Sequence, residues 1–280
     1  MSFAGYVAEL RELRERSGHH GLENMVVLRS VASTNLLARD VALDYESEGI
    51  DLSPLLILAY EQSGGRGRQG RTWSSPAGQG VYATVLLPFS DPRPLQSLPL
   101  LVGVGLCRAL APHLPGGCRL KWPNDLLAGG AGQAAEEAGA GAGSARGRKL
   151  GGILIETLVR PGEPSVACVG FGVNRSLDGP DLPPGATSLA REGGGQASLA
   201  QLAWDLVGGV MREVAHAGDA AYAVDAYRAL SVHRPGDRMS CRVGDEVVEG
   251  VFLGFDEQGL LRLESGGREH LLSAGEVITP

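Results

Sequence analysis

The sequence predicts an α+β protein of two units. A mixed β-sheet with helices packed mainly on one side spans residues 1–229, and a small all-β unit follows over 230–280. Two observations carry this. Strand-like and helical segments are interleaved without the regular alternation of a βαβ succession, and after Leu230 the texture changes to short strands cut by tight turns. A chain of 280 residues is long enough for each unit to bury its own core.

From the N-terminus, acids and arginines interleave with apolar residues at helical spacing, predicting a helix over Tyr6–Arg16. Nothing there reads as a signal peptide or membrane span. Ser33 or Thr34 can cap a second helix through Tyr45. Apolar runs at 55–60 and 81–87 predict strands, and Ser97–Leu110 predicts an apolar helix that tolerates Pro99 in its first turn. Gly103 and Gly105 allow that helix a close neighbour. Strands are expected at 118–122, 150–159 and 165–173, and helices over Ser198–Val214 and Asp219–Leu230. In the last unit, strands at 238–243, 247–255, 260–264 and 270–272 are separated by Gly244-Asp245, Gln258-Gly259 and Gly266-Gly267. Residues 128–148, almost all Gly, Ala, Ser and charge, bury too little apolar surface to offset ordering and read as a disordered insertion.

Composition narrows the function. Apolar content of 43% with 20% charged residues fits a soluble protein. A net charge of −7 opposes nonspecific nucleic-acid binding, so no DNA partner is expected. Cys107, Cys118, Cys168 and Cys241 lack CxxC spacing and sit in apolar contexts, which predicts free buried thiols and a cytoplasmic location. The six histidines are scattered, so no protein metal site is expected.

One stretch stands apart. Gly64-Gly65-Arg66-Gly67-Arg68-Gln69-Gly70-Arg71-Thr72-Trp73 sets three arginines among four glycines directly after a strand-like run, a composition suited to closing a mobile backbone around an anion. It matches both a dinucleotide fingerprint and a P-loop with arginine in place of lysine. Both need a helix to start at once, since its first N–H groups hold the phosphates. Here Trp73-Ser74-Ser75-Pro76 and a new strand follow, so neither pattern applies.

The remaining motifs supply a third interpretation. Lys121-Trp122-Pro123-Asn124-Asp125-Leu126-Leu127, Lys149-Leu150-Gly151-Gly152-Ile153-Leu154-Ile155-Glu156 and Gly170-Phe171-Gly172-Val173-Asn174 follow in order, with Ser33-Thr34-Asn35 and Gln62 upstream. From about residue 26 onward this set resembles the biotin protein ligases, in the form without an N-terminal DNA-binding domain. The resemblance implies a C-terminal SH3-like β-barrel and a two-step reaction. Biotin and ATP, with Mg2+ brought by the nucleotide, give biotinyl-5′-AMP, and biotin is then transferred to a lysine of a biotin carboxyl carrier protein. It admits a homodimer.

Matched residue by residue, the resemblance implies biotin contacts from Ser33, Thr34, Asn35, Gln62, Gly65, Arg66, Arg68, Lys121 and Gly152. Nucleotide contacts would come from Arg66, Arg68, Arg71, Trp73, Lys121, Asn124 and Asn174. Arg68 and Lys121 would face the junction of biotin carboxylate and α-phosphate as the catalytic cations. Asn124 and Asp125 would orient Lys121 or help bind magnesium, Asp125 being the metal candidate, although Pro-Asn-Asp is also strong turn chemistry. Trp73 reads as a loop anchor as readily as a ligand contact. Ala186-Thr187-Ser188-Leu189 resembles a segment that orders over adenine. The family's link between the Lys121–Leu127 motif and the Lys149–Glu156 motif is usually short, so the insertion departs from it. Two alternatives remain, a lipoate or octanoate ligase of related fold and a non-catalytic biotin-sensing regulator. The arginine loop joined to KWPND is not expected in the first, and the acidic charge opposes the second.

Overall fold

The computed structural model describes residues 1–18, 20–129, 147–159, 165–273 and 275–278. Helix α1 (Phe3–Ser17) begins at Ser2, whose hydroxyl accepts from Gly5 N–H. Strand β1 (Asn24–Val31) leads to α2 (Thr34–Ser47), then β2 (Leu55–Gln62), β3 (Gly80–Phe89), α3 (Leu98–Leu110), β4 (Cys118–Lys121), β5 (Asp125–Ala128), β6 (Arg148–Leu158) and β7 (Ser165–Asn174). Helices α4 (Leu199–Val214) and α5 (Ala220–Leu230) are capped by Ser198 and Asp219, each accepting from the N–H three residues on. Strands β8 (Arg238–Val243), β9 (Glu246–Phe255), β10 (Leu261–Ser265), β11 (Arg268–Leu272) and β12 (Glu276–Ile278) complete the chain.

The first seven strands form one mixed sheet in the order β1-β2-β3-β7-β6-β5-β4, parallel only between β1 and β2. Alternation along each strand gives the sheet two faces. Leu56 and Leu58 of β2, with Val81, Ala83 and Val85 of β3, point into the large core shared with α1, α3, α4 and α5. Ile57, Leu86 and Cys168 point the other way, where α2 covers them. Among the described residues α2 is the one helix on this second face, and the part of the face it leaves uncovered borders a cavity. Helices α3 and α4 touch backbone to backbone, since a Cβ on Gly105 would lie 2.6 Å from the Gly209 carbonyl oxygen. The expected close neighbour of α3 is therefore α4.

The last five strands form an antiparallel sheet in the order β11-β10-β9-β8-β12. The four cysteines are free and buried, and burial pushes the thiols of Cys168 up to about 12 and Cys241 to about 11, so both stay protonated. Among the described residues no helix is long and apolar enough to cross a membrane.

Three strands escaped the sequence reading. β1 is an edge strand with much of its surface in solvent, so its apolar pattern is diluted. β12 has three residues. β5 hides behind turn chemistry, and it corrects the insertion's boundaries: Ala128 and Arg148 are paired strand residues. Residues 130–146, the bulk of the expected disordered insertion, lie outside the described residues.

Candidate active site

A cavity of about 620 Å³ opens on the sheet face beside α2. Its floor is the backbone of β6 and β7 at Gly152, Gly170 and Gly172, positions of one face by the two-residue period. The floor must be glycine at two points. A Cβ on Gly170 would meet Asn35 Oδ1 at 2.0 Å, and one on Gly172 would meet Trp73 Nε1 at 2.5 Å. Trp73 thus lies flat on the floor and anchors the C-terminal end of the arginine loop. Its buried indole N–H has no hydrogen-bond partner among the described residues.

The loop itself is a small hairpin. Arg66 and Thr72 bridge, Gly67 N–H donates to Arg71 O at 2.7 Å, and Trp73 N–H donates to Gly65 O at 2.9 Å. Its tip turns through Gln69 and Gly70 at φ 56° and 72°, the left-handed region that favours glycine at the second position. Gly65 does not line the cavity. Its missing side chain makes room for the returning strand, since a Cβ would stand 2.3 Å from Trp73 O.

One end of the cavity is neutral and polar. Ser33 occupies the N-cap of α2, yet its hydroxyl makes no capping bond and borders the cavity instead. Gln62 Oε1 accepts from Thr34 N–H at 2.9 Å and Thr34 Oγ1 at 3.2 Å, while Gln62 Nε2 donates to Ser75 Oγ at 2.9 Å. Asn35 Nδ2 donates to Leu154 O and Glu156 Oε2, both at 3.0 Å. Both hydrogens of that amide are therefore held by β6. Thr84, fully buried, places its hydroxyl 2.8 Å from Thr34 Oγ1 and 2.6 Å from Asn35 Oδ1, and its single proton serves one of them.

The other end is cationic. Arg68 Nη1 donates to Asn124 Oδ1 at 3.2 Å and to Gly275 O at 3.3 Å, and Asn124 Nδ2 is tied in turn to Ile153 O at 3.0 Å. Burial lowers the pKa of the Arg68 guanidinium against the pull of Asp125 and Glu276. Arg71 pairs with Glu276, and this hydrogen bond first, then the charges of Arg71, Arg242 and Lys121, hold the Glu276 carboxyl below its ordinary range against desolvation. Lys149 Nζ lies 2.6 Å from Asp125 Oδ1 and 5.7 Å from the centre of the Trp73 ring. Lys121 lines the cavity, and its ammonium makes no hydrogen bond or ion pair with any described residue. A cation with no hydrogen bond or ion pair to a described residue is available to an incoming anion.

Arg66 stands apart from these, paired with Glu156 at 3.1 Å. Asn174 lines the cavity and uses its amide to hold Thr187 O at 2.9 Å, while Thr187 N–H donates to Lys149 O. These bonds and the Lys149–Ala186 bridge bring segment 185–189 alongside the start of β6. Of the residues expected to contact biotin or nucleotide, all but Gly65 line this one cavity, and of segment 186–189 only Ala186 does. Asn124 and Asp125 take partners other than the expected Lys121, namely Arg68 and Lys149. Among the described residues no cluster of three metal-ligating side chains occurs.

The model of the biotin/lipoate A/B protein ligase family matches residues 28–174, more than half of the chain. The chain belongs to the biotin/lipoate A/B protein ligase family. It is 31% identical to the biotin--[acetyl-CoA-carboxylase] ligase of Mycobacterium tuberculosis, with 96% of this chain and 94% of that protein covered. It is 27% identical to the bifunctional ligase/repressor BirA of Escherichia coli, over 91% of this chain and 73% of that protein. The fold is shared with the biotin protein ligase of Aquifex aeolicus solved in complex with biotin and ATP. There the TM-score is 0.68 at 21% identity, covering 92% of this chain and 98% of that one.

Sequence reasoning missed Lys149, His233 and Glu276, which line the cavity, and Thr84 and Glu156, which hold the lining residue Asn35. Thr84 carries a signal in retrospect, a lone hydroxyl in an apolar strand. Lys149 and Glu156 flank the glycine pair of their motif, but spacing alone does not tell which partner each finds.

Proposed function

We propose that this chain is an ATP-dependent biotin protein ligase that forms biotinyl-5′-AMP and transfers biotin to a lysine of a biotin carboxyl carrier protein. The observation that carries the proposal is the cavity's division into a neutral hydrogen-bonding end and a cationic end, joined by a glycine floor. Biotin has the matching form, a polar ureido ring, an apolar ring and chain, and a terminal carboxylate.

In this reading the ureido ring meets Ser33, Thr34 and Gln62, of which Thr34 is oriented by Thr84 and Gln62 by Ser75. Asn35 holds α2 to β6 at the ring end. The valeryl chain crosses the Trp73 ring, which covers Gly172 and lies against Gly152, and its carboxylate arrives between Arg68 and Lys121. A carboxylate oxygen then attacks the α-phosphorus, and the bond to the leaving pyrophosphate breaks. Two anions must approach, so fixed cations lower the barrier. Positioning contributes about 7 to 11 kcal/mol and one aimed donor about 3 to 4. Arg71 and Lys149 exchange their carboxylate partners for nucleotide phosphates, and segment 186–189, held by Asn174, borders the base. Asp125 and Glu276, the carboxylates lining the cationic end, would hold magnesium brought by the nucleotide, which would offset phosphate charge there. In the second step the neutral amine of the carrier lysine attacks the acyl carbon, the bond to AMP breaks, and the amine loses its proton.

Residues 1–229 form the catalytic unit and 230–280 a C-terminal SH3-like β unit whose Gly275 and Glu276 border the cationic end of the cavity, a reading supported by the short antiparallel strands β8–β12. The buried free thiols fit a cytoplasmic setting. The test is pyrophosphate release with biotin, lipoate and octanoate offered singly and in competition. Biotin alone should support turnover at micromolar concentration. Equal turnover with lipoate or octanoate would overturn the biotin assignment.

A further inference from the structure

The backbone on both sides of Lys121 is tied to the segment that links the two units. Leu120 and Ser231 form a parallel bridge, and Val232 N–H donates to Leu120 O at 2.9 Å. One residue beyond Lys121, Trp122 N–H donates to the imidazole Nε2 of His233 at 3.1 Å. Trp122, Ser231 and His233 are all buried, so water cannot replace these bonds, and a buried N–H left without an acceptor costs about 1 to 3 kcal/mol. An Nε2 that accepts carries its lone pair there, so the ring is neutral with its proton on Nδ1.

The His233 ring is itself located from both units. Its backbone N–H donates to Ser231 Oγ at 3.1 Å, and Ser231 N–H caps α5 through Tyr227 O. The ring packs edge to face with Phe252 in β9, the ring centroids 5.9 Å apart. Phe252 is in turn joined to the linking segment by Gly236 N–H to Phe252 O and Phe252 N–H to Asp237 O, each at 2.8 Å. Lys121 lies at the end of a strand of only four residues, with no helix following to hold it. Its side-chain ammonium has no tether of its own, so its aim depends on its backbone.

We propose that His233 is a positioning residue for Lys121. By accepting the Trp122 amide, the neutral imidazole fixes the direction in which Lys121 leaves the end of β4, and through Phe252 it makes that direction depend on the C-terminal sheet. The proposal rests on the ligase reading above, in which Lys121 acts in adenylate formation.

The test compares His233→Leu, which removes the acceptor, with His233→Gln, whose amide oxygen reaches about as far as Nε2. Each is measured alone and combined with Lys121→Ala. The two half-reactions are followed separately, as biotin-dependent pyrophosphate release and as transfer from added biotinyl-5′-AMP. His233→Leu should lower kcat for adenylate formation at least tenfold, with KM for biotin changed by less than threefold and transfer nearly unchanged. His233→Gln should recover most of the rate, and neither substitution should lower the residual rate of Lys121→Ala further. If His233→Leu fails to fold, His233→Asn replaces it, because its amide is one methylene too short to reach Trp122 N–H. Equal rates for the long and short variants, an equal loss in both half-reactions, or a full additional loss on top of Lys121→Ala would each overturn the proposal. Wild-type enzyme run in parallel separates the two claims, since absence of biotin-dependent turnover there concerns the ligase reading and not His233.

Discussion

Glu156 holds Arg66 and Asn35 with one carboxylate: Arg66 Nη1 lies 3.1 Å from Oε1, and Asn35 Nδ2 donates to Oε2 at 3.0 Å. The arginine loop is thereby tied to the helix that begins the neutral end of the cavity. Both partners of the ion pair are partly exposed, so its worth to global stability is small, about 0 to 1 kcal/mol. Its consequence is local, since it decides where the loop rests.

Glu156→Gln should therefore leave the thermal midpoint within about 3 °C of wild type, while trypsin cuts after Arg66 several times faster in the ligand-free enzyme. Saturating biotin and ATP should slow that cut in both proteins. A ligand at ~100 times its Kd adds about 2.7 kcal/mol against states that cannot bind it, a roughly hundredfold effect on cleavage through such states. Unchanged cleavage on substitution would show that the pair does not hold the loop.

Arg68→Gly removes the bonds to Asn124 and Gly275 and adds backbone freedom at the loop. The variant should release biotinyl-5′-AMP faster while ATP affinity changes little. Lys121 and Lys149 are the only lysines of the chain, so released adenylate should label a lysine-rich bystander protein far more than the enzyme itself. An adenylate off-rate equal to that of wild type would reject this role.

Lys121→Ala should depress adenylate formation by about 100-fold or more, the scale of one aimed charge. Transfer from preformed biotinyl-5′-AMP should fall much less, because carboxylate and phosphate are by then already joined. Single-turnover rates of the two half-reactions check this, and an equal fall in both would give Lys121 a shared role.

Replacing residues 130–146 by a two-residue turn should leave ligation within a few-fold of wild type. Ala128 and Arg148 are antiparallel neighbours, and a Cβ on Gly129 would stand 3.7 Å from the Gly147 Cα, so a short turn closes the hairpin. Loop length enters closure entropy only logarithmically. Loss of activity in a folded variant would make that segment part of the mechanism.

The long elements were legible because their periodicity survives in the sequence: α3, α4, β3, β6 and β7 lie within two residues of their expected bounds. The short strands were not, since four residues of β5 following Pro123-Asn124 carry turn chemistry and strand pairing at once. At the site, motif residues converged on one cavity, while the partners that orient them did not declare themselves. Glu156, Thr84 and His233 act through contacts spanning about 50 to 120 residues of chain, which no local pattern encodes. The Asn124 to Arg68 bond is of the same kind, and it replaces the expected orientation of Lys121 by its own motif.

The most direct measurement of the central claim is the mass of a biotin carboxyl carrier domain after incubation with this enzyme, biotin, ATP and magnesium. The account predicts a gain of one biotinyl group on a single lysine, dependent on ATP, accompanied by AMP, and abolished when that lysine is replaced by arginine. A carrier of unchanged mass, with wild-type enzyme folded and biotin and ATP saturating, would contradict it.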